Sequence, residues 1–348
     1  MIELWNHIIN EPDHGIEEVC REYVDNLTKP LGSLAEMENM AVRLAGITGQ
    51  VKPKNLKKAI FIAAADAAID SNENKDQGAA TLRELLLITN GLAPVSAVAR
   101  SIGAPVFVAD VGMQADTTEI EGLMLHKLAS GALSPSTRMA MTPEVCAEAI
   151  AFGAAVAKQM AQEGYEVFGI GQIGERSALS ALAITAAFLG EELAAGLNQL
   201  GVQLAGEDWT LAQREPETVL ARYGTATIAA LTGFILGAAA QGRAVVFDDA
   251  VTGAAVLAAI GIAPNVAHYL FSSAHYHDPL HLLQMQKMGM RGYLHYDFTL
   301  AQGLGSALGL SLLDGALDML NEMKTFGAAG VTVAEDGPGK GRQRKEVK

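Results

Sequence analysis

The sequence predicts an α/β protein built on a mostly parallel sheet with helices on its faces. Three observations carry this. Short apolar runs alternate with helical stretches of ten or more residues, the pattern of βαβ units. Several of those runs end in Asp or Gly, as strands do where they open onto a ligand crevice. Half of the 348 residues are apolar and only 5% aromatic, which suits helices packed closely around a sheet.

Taken in order, residues 1–27 read as a short helical lead. Residues 33–47 form an amphipathic helix, with Ser33 as N-cap and Glu36 placed for a capping box. Ala59–Ala65 is a buried-strand candidate ending in Asp66. A polar stretch over 70–80 reads as a mobile loop, and helical periodicity resumes at 81–89 and 94–102 around Asn90-Gly91. Pro105–Ala109 is the second strand and ends in Asp110. Thr142-Pro143-Glu144 starts a helix that runs to about Gly164. Glu166–Ile170 is the third strand, followed by an Ala-rich helix over 177–200 and another over 225–241. Ala244–Phe247 is the fourth strand, ending in Asp248-Asp249, and Tyr269–Ser273 a fifth. Helix closes the body over 301–326, and there is no internal repeat.

Charge excludes some functions. Asp and Glu number 39 against 25 Lys and Arg, a net −14. Affinity for nucleic acid comes largely from neutralising phosphates, so this balance argues against that partner and against an anionic membrane. The basic tail over 335–348 reads as a solvated, disordered terminus. Apolar stretches such as 225–240 and 251–262 are broken before the length of a membrane span. Cys20 and Cys146 show no metal-like pairing, and the polar N-terminus is no signal peptide, so a cytoplasmic location is expected.

Three motifs carry possible chemistry. Gly169-Ile170-Gly171-Gln172-Ile173-Gly174 is a G-x-G-x-x-G between a strand and a helix, where backbone N–H groups can approach a phosphate. The dinucleotide form needs a second strand with a ribose-binding acid about 20 residues on. Helix continues there instead, which leaves a tight strand–helix turn as the plain alternative. His275, His277, Asp278 and His281 offer metal-ligand chemistry and a metal-dependent hydrolase as the runner-up. Alternating histidines need a strand while His277 and His281 need a helix, and Pro279 stands between. The Asp248-Asp249 pair is a candidate for a carboxylate with a raised pKa. Equally, Asp249 can cap the helix over 251–262 while Asp248 accepts backbone hydrogen bonds.

Thr28-Lys29-Pro30-Leu31-Gly32-Ser33-Leu34 resembles the opening motif TKPxGSLG of the nicotinate-nucleotide:dimethylbenzimidazole phosphoribosyltransferase family. The resemblance covers nearly the whole chain up to the tail. It includes Ala65-Asp66, Asp110-Val111-Gly112, Thr232-Gly233, Gly237-Ala238-Ala239, Asp248 and Leu320-Asn321-Glu322-Met323. His275, Asp278, Pro279 and His281 resemble the family's AHxSxEPGH, which explains those residues without metal. The resemblance implies a Rossmann-like sheet over 51–289 and a small helical domain from both chain ends, 1–50 plus 290–334. It also implies transfer of phosphoribose from nicotinate mononucleotide to a lower-ligand base of cobalamin-type cofactors, with a glutamate in a GEG segment as base and no cofactor.

Departures from the family pattern gather at the expected site. The RLGEGxGAAL segment reads Thr299-Leu300-Ala301-Gln302-Gly303-Leu304-Gly305-Ser306-Ala307-Leu308, so the expected base is Gln302. A second glutamate is replaced by Gln172. The phosphate-holding Asn-Thr-Thr becomes Ser177-Ala178-Leu179, the Asp-His-Gly becomes Asp66-Ala67-Ala68, and an acid near 227 is Thr227. Catalytic candidates are therefore Asp248, Asp66 and Gln302. The substrate-binding candidates are Gly171, Gln172, Gly174, Ser177, Asp249, His275 and Gly303. The pattern resembles one subunit of the two-subunit relatives that attach phenolic lower ligands, paired with a catalytic paralogue. A homodimer with a new base, or a catalytically silent scaffold, are the competing accounts.

Overall fold

The computed structural model describes residues 2–66, 77–128, 140–174, 177–190, 215–275, 278–297, 300–333 and 337–347. Its elements are α1 (Ile2–Ile8), α2 (His14–Asp25), α3 (Glu36–Thr48), β1 (Lys58–Ala65), α4 (Gln77–Thr89), α5 (Pro94–Ser101), β2 (Val106–Gly112), β3 (Leu123–Leu125), α6 (Pro143–Gln162), β4 (Val167–Ile173) and α7 (Ser177–Leu189). There follow α8 (Pro216–Tyr223), α9 (Ala226–Ala240), β5 (Ala244–Phe247), α10 (Ala250–Ile262), β6 (Leu270–Ser272), β7 (Ala274–His275), α11 (Pro279–Lys287), β8 (Leu294–His295), α12 (Leu304–Glu322) and α13 (Phe326–Ala329).

Six strands form one wholly parallel sheet in the order β3-β2-β1-β4-β5-β6. The order reverses between β1 and β4, so a crevice opens beyond the carboxyl ends of those two strands. Both faces of the sheet are covered, as near-continuous apolar strands require. Phe61, Ala63, Phe168, Ile170, Val245 and Phe247 face one core with α6, α9 and α10. Ile60, Ile62, Ala64, Val108, Val246 and Phe271 face the other, with α2, α3, α5 and α12. Helices α6 and α9 approach until a methyl on Gly233 would sit 1.9 Å from the carbonyl oxygen of Ile150. The helices drawn from the two chain ends thus share one core with the sheet. β7 and β8 form a separate parallel pair.

The alternating pattern holds along the chain, with local corrections. The lead is two helices, separated around Pro12, with Asp13 capping the second through Ile16 N. Ser33 does not cap α3, because a turn over Leu31–Ala35 intervenes and Ala35, at φ 45°, precedes the first helical residue. Glu38 reaches back instead to Leu34 N at 3.0 Å. β3 was not foreseen: three residues without a β-branched side chain give no periodic signal. The chain end is not free. Arg342 pairs with Asp25 at 3.0 Å, Gln343 Nε2 donates to the carbonyls of Asp25 and Lys29, and Arg344 N donates to Asn26 Oδ1 at 2.5 Å. The buried Gln343 amide supplies contacts that a purely electrostatic reading of the tail omits. Of the polar stretch over 70–80, residues 77–80 open α4. The rest lies outside the described residues, as does 191–200 of the expected helix over 177–200.

Among the described residues one apolar helical stretch, 79–101, has the length and hydropathy of a membrane span. Asn90-Gly91 breaks it into α4 and α5, which set Leu85, Ile88, Val95 and Ala99 against the sheet.

Candidate functional site

The expected G-x-G-x-x-G turn is largely strand. β4 runs to Ile173, so Gly169 to Ile173 lie in the sheet and only Gly174 stands beyond it. The glycines serve a close approach of chain to chain. A Cβ on Gly171 would meet Gly303 N at 2.6 Å and the carbonyl carbon of Gln302 at 2.9 Å. A Cβ on Gly174 (φ 148°) would lie 2.1 Å from the carbonyl oxygen of Ala65. The first turn of α12 is thereby laid directly on β4 at the point where the sheet order reverses.

That turn carries the expected base position. Gln302 and Gly303 are both left-handed, at φ 55° and 81°, a conformation that costs a side-chain-bearing residue about 1–2 kcal/mol. Gly303 relieves the second of these. Ser306 then fixes the helix, its hydroxyl reaching the carbonyls of Ile170 at 2.7 Å and Val246 at 3.0 Å. Gln172, next along β4 from Gly171, has a buried Oε1 with no hydrogen-bond partner among the described residues. Gln302 thus packs against β4 at Gly171, whereas Gln172, one residue further along the strand, directs its side chain to the opposite face of the sheet.

Asp248 ends β5 beside the same turn and is fully buried. Burial, then the charge of Asp249, hold its carboxyl well above the usual carboxylate range. The backbone N–H groups of Gly305 and Ser306 face it and favour charge, yet neither carboxyl oxygen closes a full hydrogen bond. Tyr296 is a neighbour; burial and the charge of Asp248 push its phenol up to about 12. Asp249 acts as the helix cap. Its Oδ1 accepts from Thr252 N and Thr252 Oγ1, both at 2.7 Å, while Asp249 N donates to Thr252 Oγ1.

The remaining candidates have structural partners. Asp66 Oδ2 accepts from Gln114 N at 2.8 Å. Asp110 Oδ1 accepts from Gly112 N and Met113 N, and its Oδ2 from Thr117 Oγ1. Together these two carboxylates hold the chain leaving β2. Ser177 opens α7, its hydroxyl donating to the carbonyl of Gly174 at 3.3 Å. Thr227 is buried in the first turn of α9, with its hydroxyl unpartnered.

Two members of the histidine cluster have described side chains, and both have structural surroundings. Asp278 caps α11 by accepting from Leu280 N. His281 is fully buried, edge-on to Phe247 with 6.1 Å between rings. His275 lies in β7, its side chain outside the described residues together with His277. Among the described residues no three metal-capable side chains come together.

Sequence reasoning missed Tyr296 and the role of Ser306. Tyr296 stood in a short polar stretch with no periodic signal, and Ser306 among small helix residues. Its mid-sheet contacts follow only from where α12 crosses.

Comparison with known proteins gives one answer. A phosphoribosyltransferase family model matches residues 9–331. The nicotinate-nucleotide–dimethylbenzimidazole phosphoribosyltransferase of Geobacter sp. (strain M21) is 35% identical over 338 residues, covering 93% of this chain and 97% of that one. Its counterpart from Chloroflexus aggregans is 32% identical over 341 residues, covering 94% and 96%. The crystal structure of the same enzyme from Thermus thermophilus superposes with a TM-score of 0.80 at 29% identity, covering 92% of this chain and 100% of that one. With the parallel sheet, the opening motif and the turn of α12 on β4, these matches establish that the chain belongs to the nicotinate-nucleotide–dimethylbenzimidazole phosphoribosyltransferase family.

Proposed function

We propose that this chain is one subunit of an unlike pair that moves phosphoribose from nicotinate mononucleotide to a lower-ligand base or phenol of cobalamin-type cofactors. A paralogous chain supplies the missing glutamate. The observation that carries this is Gln302, held in a left-handed turn against Gly171 where a carboxylate base would be needed. In the transfer the bond from the ribose carbon to the pyridinium nitrogen breaks, and its electron pair leaves with nicotinate. The acceptor's nitrogen or oxygen bonds to that carbon, and its proton must go to a base. A neutral amide can hydrogen-bond but cannot take the proton.

Asp248 is the alternative base within the chain, alone or in a homodimer. Its full burial speaks against that role, because a base must come within hydrogen-bond reach of the acceptor's proton. Asp66 is similarly committed, to Gln114 N. In this proposal 1–50 and 290–334 make up the small helical domain and 51–289 the Rossmann-like one. A cytoplasmic location fits the two buried, unpaired cysteines.

The test is nicotinate release from nicotinate mononucleotide with benzimidazole or phenol as acceptor. The wild-type chain alone is expected to be inactive, and Gln302→Glu to release nicotinate at least ~10²-fold faster, the usual contribution of a positioned base. Turnover by the wild-type chain alone that Asp248→Asn abolishes would overturn the partner reading and put the base at Asp248.

A further inference from the structure

A cleft of about 530 Å³ opens along the outer edge of β6. None of Asp66, Gln172, Asp248 or Gln302 lines it. Its polar wall is Arg43, Arg291, His268, Tyr293 and Ser272, with Glu36 as the one carboxylate. In a chain of net −14 this is a locally cationic hollow.

Arg43 is built into it rather than waving over it. Its guanidinium lies 4.1 Å above the ring of Phe271. Nη2 donates to the carbonyls of His268 at 3.1 Å and Leu270 at 2.6 Å, on the unpaired edge of the sheet. One side of the planar fork is thus fixed by backbone, and its partners there are neutral. Burial lowers the arginine's pKa, while Tyr293, Glu17 and Glu36 pull it the other way. Ser272 Oγ donates to the carbonyl of Arg291 at 2.5 Å, holding the backbone of the second arginine on the facing wall. Leu270, Met288 and Met290 add an apolar floor.

A rigid guanidinium fork with a second one nearby matches the paired oxygens of a phosphate or carboxylate. We propose that this cleft binds a small oxyanion, phosphate or carboxylate, between Arg43 and Arg291. The site shares no lining residue with the candidate transfer site.

Calorimetric titration of the full chain with inorganic phosphate, and separately with malonate, at low salt tests this. Saturable binding of at least one anion is expected, weakened about tenfold or more by Arg291→Ser, since a charged hydrogen bond is worth roughly that factor or more. Arg43→Lys, which keeps the charge and loses the fork, should weaken it as well. Glu36→Gln should tighten it several-fold, a gain that misfolding cannot imitate. No saturable binding of either anion, or binding that Arg291→Ser and Glu36→Gln leave unchanged, overturns the proposal.

Discussion

Asp248 shows how far one residue's surroundings set its chemistry. Its folded pKa lies above the ordinary carboxylate value, so it contributes stability that is whole below about pH 3.9 and drains as pH rises towards the folded value. Asp248→Asn removes that slope. In urea unfolding across acid to neutral pH, the wild type should lose stability relative to the variant as pH rises, by about 1.4 kcal/mol for each unit between its two pKa values. Parallel curves would mean the carboxyl ionises freely. Lys29 is a second case. Its ammonium is buried 2.8 Å from Glu38 Oε1, off the hydrogen-bond axis, and Glu38 also accepts from Leu34 N. The opening motif is therefore an internal brace for the start of α3. Lys29→Met strands a buried carboxylate and should cost about 3–5 kcal/mol in denaturant unfolding, while Lys29→Met with Glu38→Leu recovers most of the loss. The chemistry of Lys29 was invisible in sequence, because a lysine in a polar turn reads as solvent-exposed until its partner's burial is known.

At the scale of elements, the meeting of α12 and β4 is the decisive contact. Gly171→Ala puts a methyl 2.6 Å from Gly303 N, where backbone and not a yielding side chain stands in the way. A loss of about 3 kcal/mol, or displacement of the Gln302 turn, is expected, read by thermal unfolding and by loss of activity in the assembled enzyme. Here the sequence was partly legible. The apolar runs ending in Asp located β1, β2 and β5, and Thr142-Pro143-Glu144 located the start of α6. What could not be read was where β4 ends. Glycines that mark a turn when only neighbours in sequence are considered become strand residues once α12 needs space across them. Likewise α12 was placed from 301, whereas the left-handed pair at 302 and 303 delays it to 304. That delay sets the Gln302 turn against β4, where the candidate base position meets Gly171.

For the whole molecule, the family and the two-faced parallel sheet follow from pattern alone, since both rest on features that repeat over long stretches. Its assembly does not, since the proposed partner leaves no periodic signal in this chain to mark the surface that would meet it. Under the proposed pairing, sedimentation of the chain mixed with a glutamate-bearing family member should give a 1:1 complex absent from the chain alone, with nicotinate release appearing only in the mixture. The tail belongs to this scale as well, because it joins the last residues to the end of α2. Gln343→Ala should cost about 1–2 kcal/mol, the loss of a buried amide that donates to the carbonyls of Asp25 and Lys29, and denaturant unfolding would register it.

The Ser306 hydroxyl that bridges Ile170 and Val246 ties residues 136 and 60 positions apart. On the ribosome, β4 and β5 emerge well before α12 exists, so Ile60, Gly169 and Val246 lack the cover of α12 until it is made. The crevice is then the last part of the molecule to be assembled. A nascent chain stalled before residue 304 would leave part of one sheet face bare, and its safe passage depends on how soon α12 follows or on a chaperone's shelter.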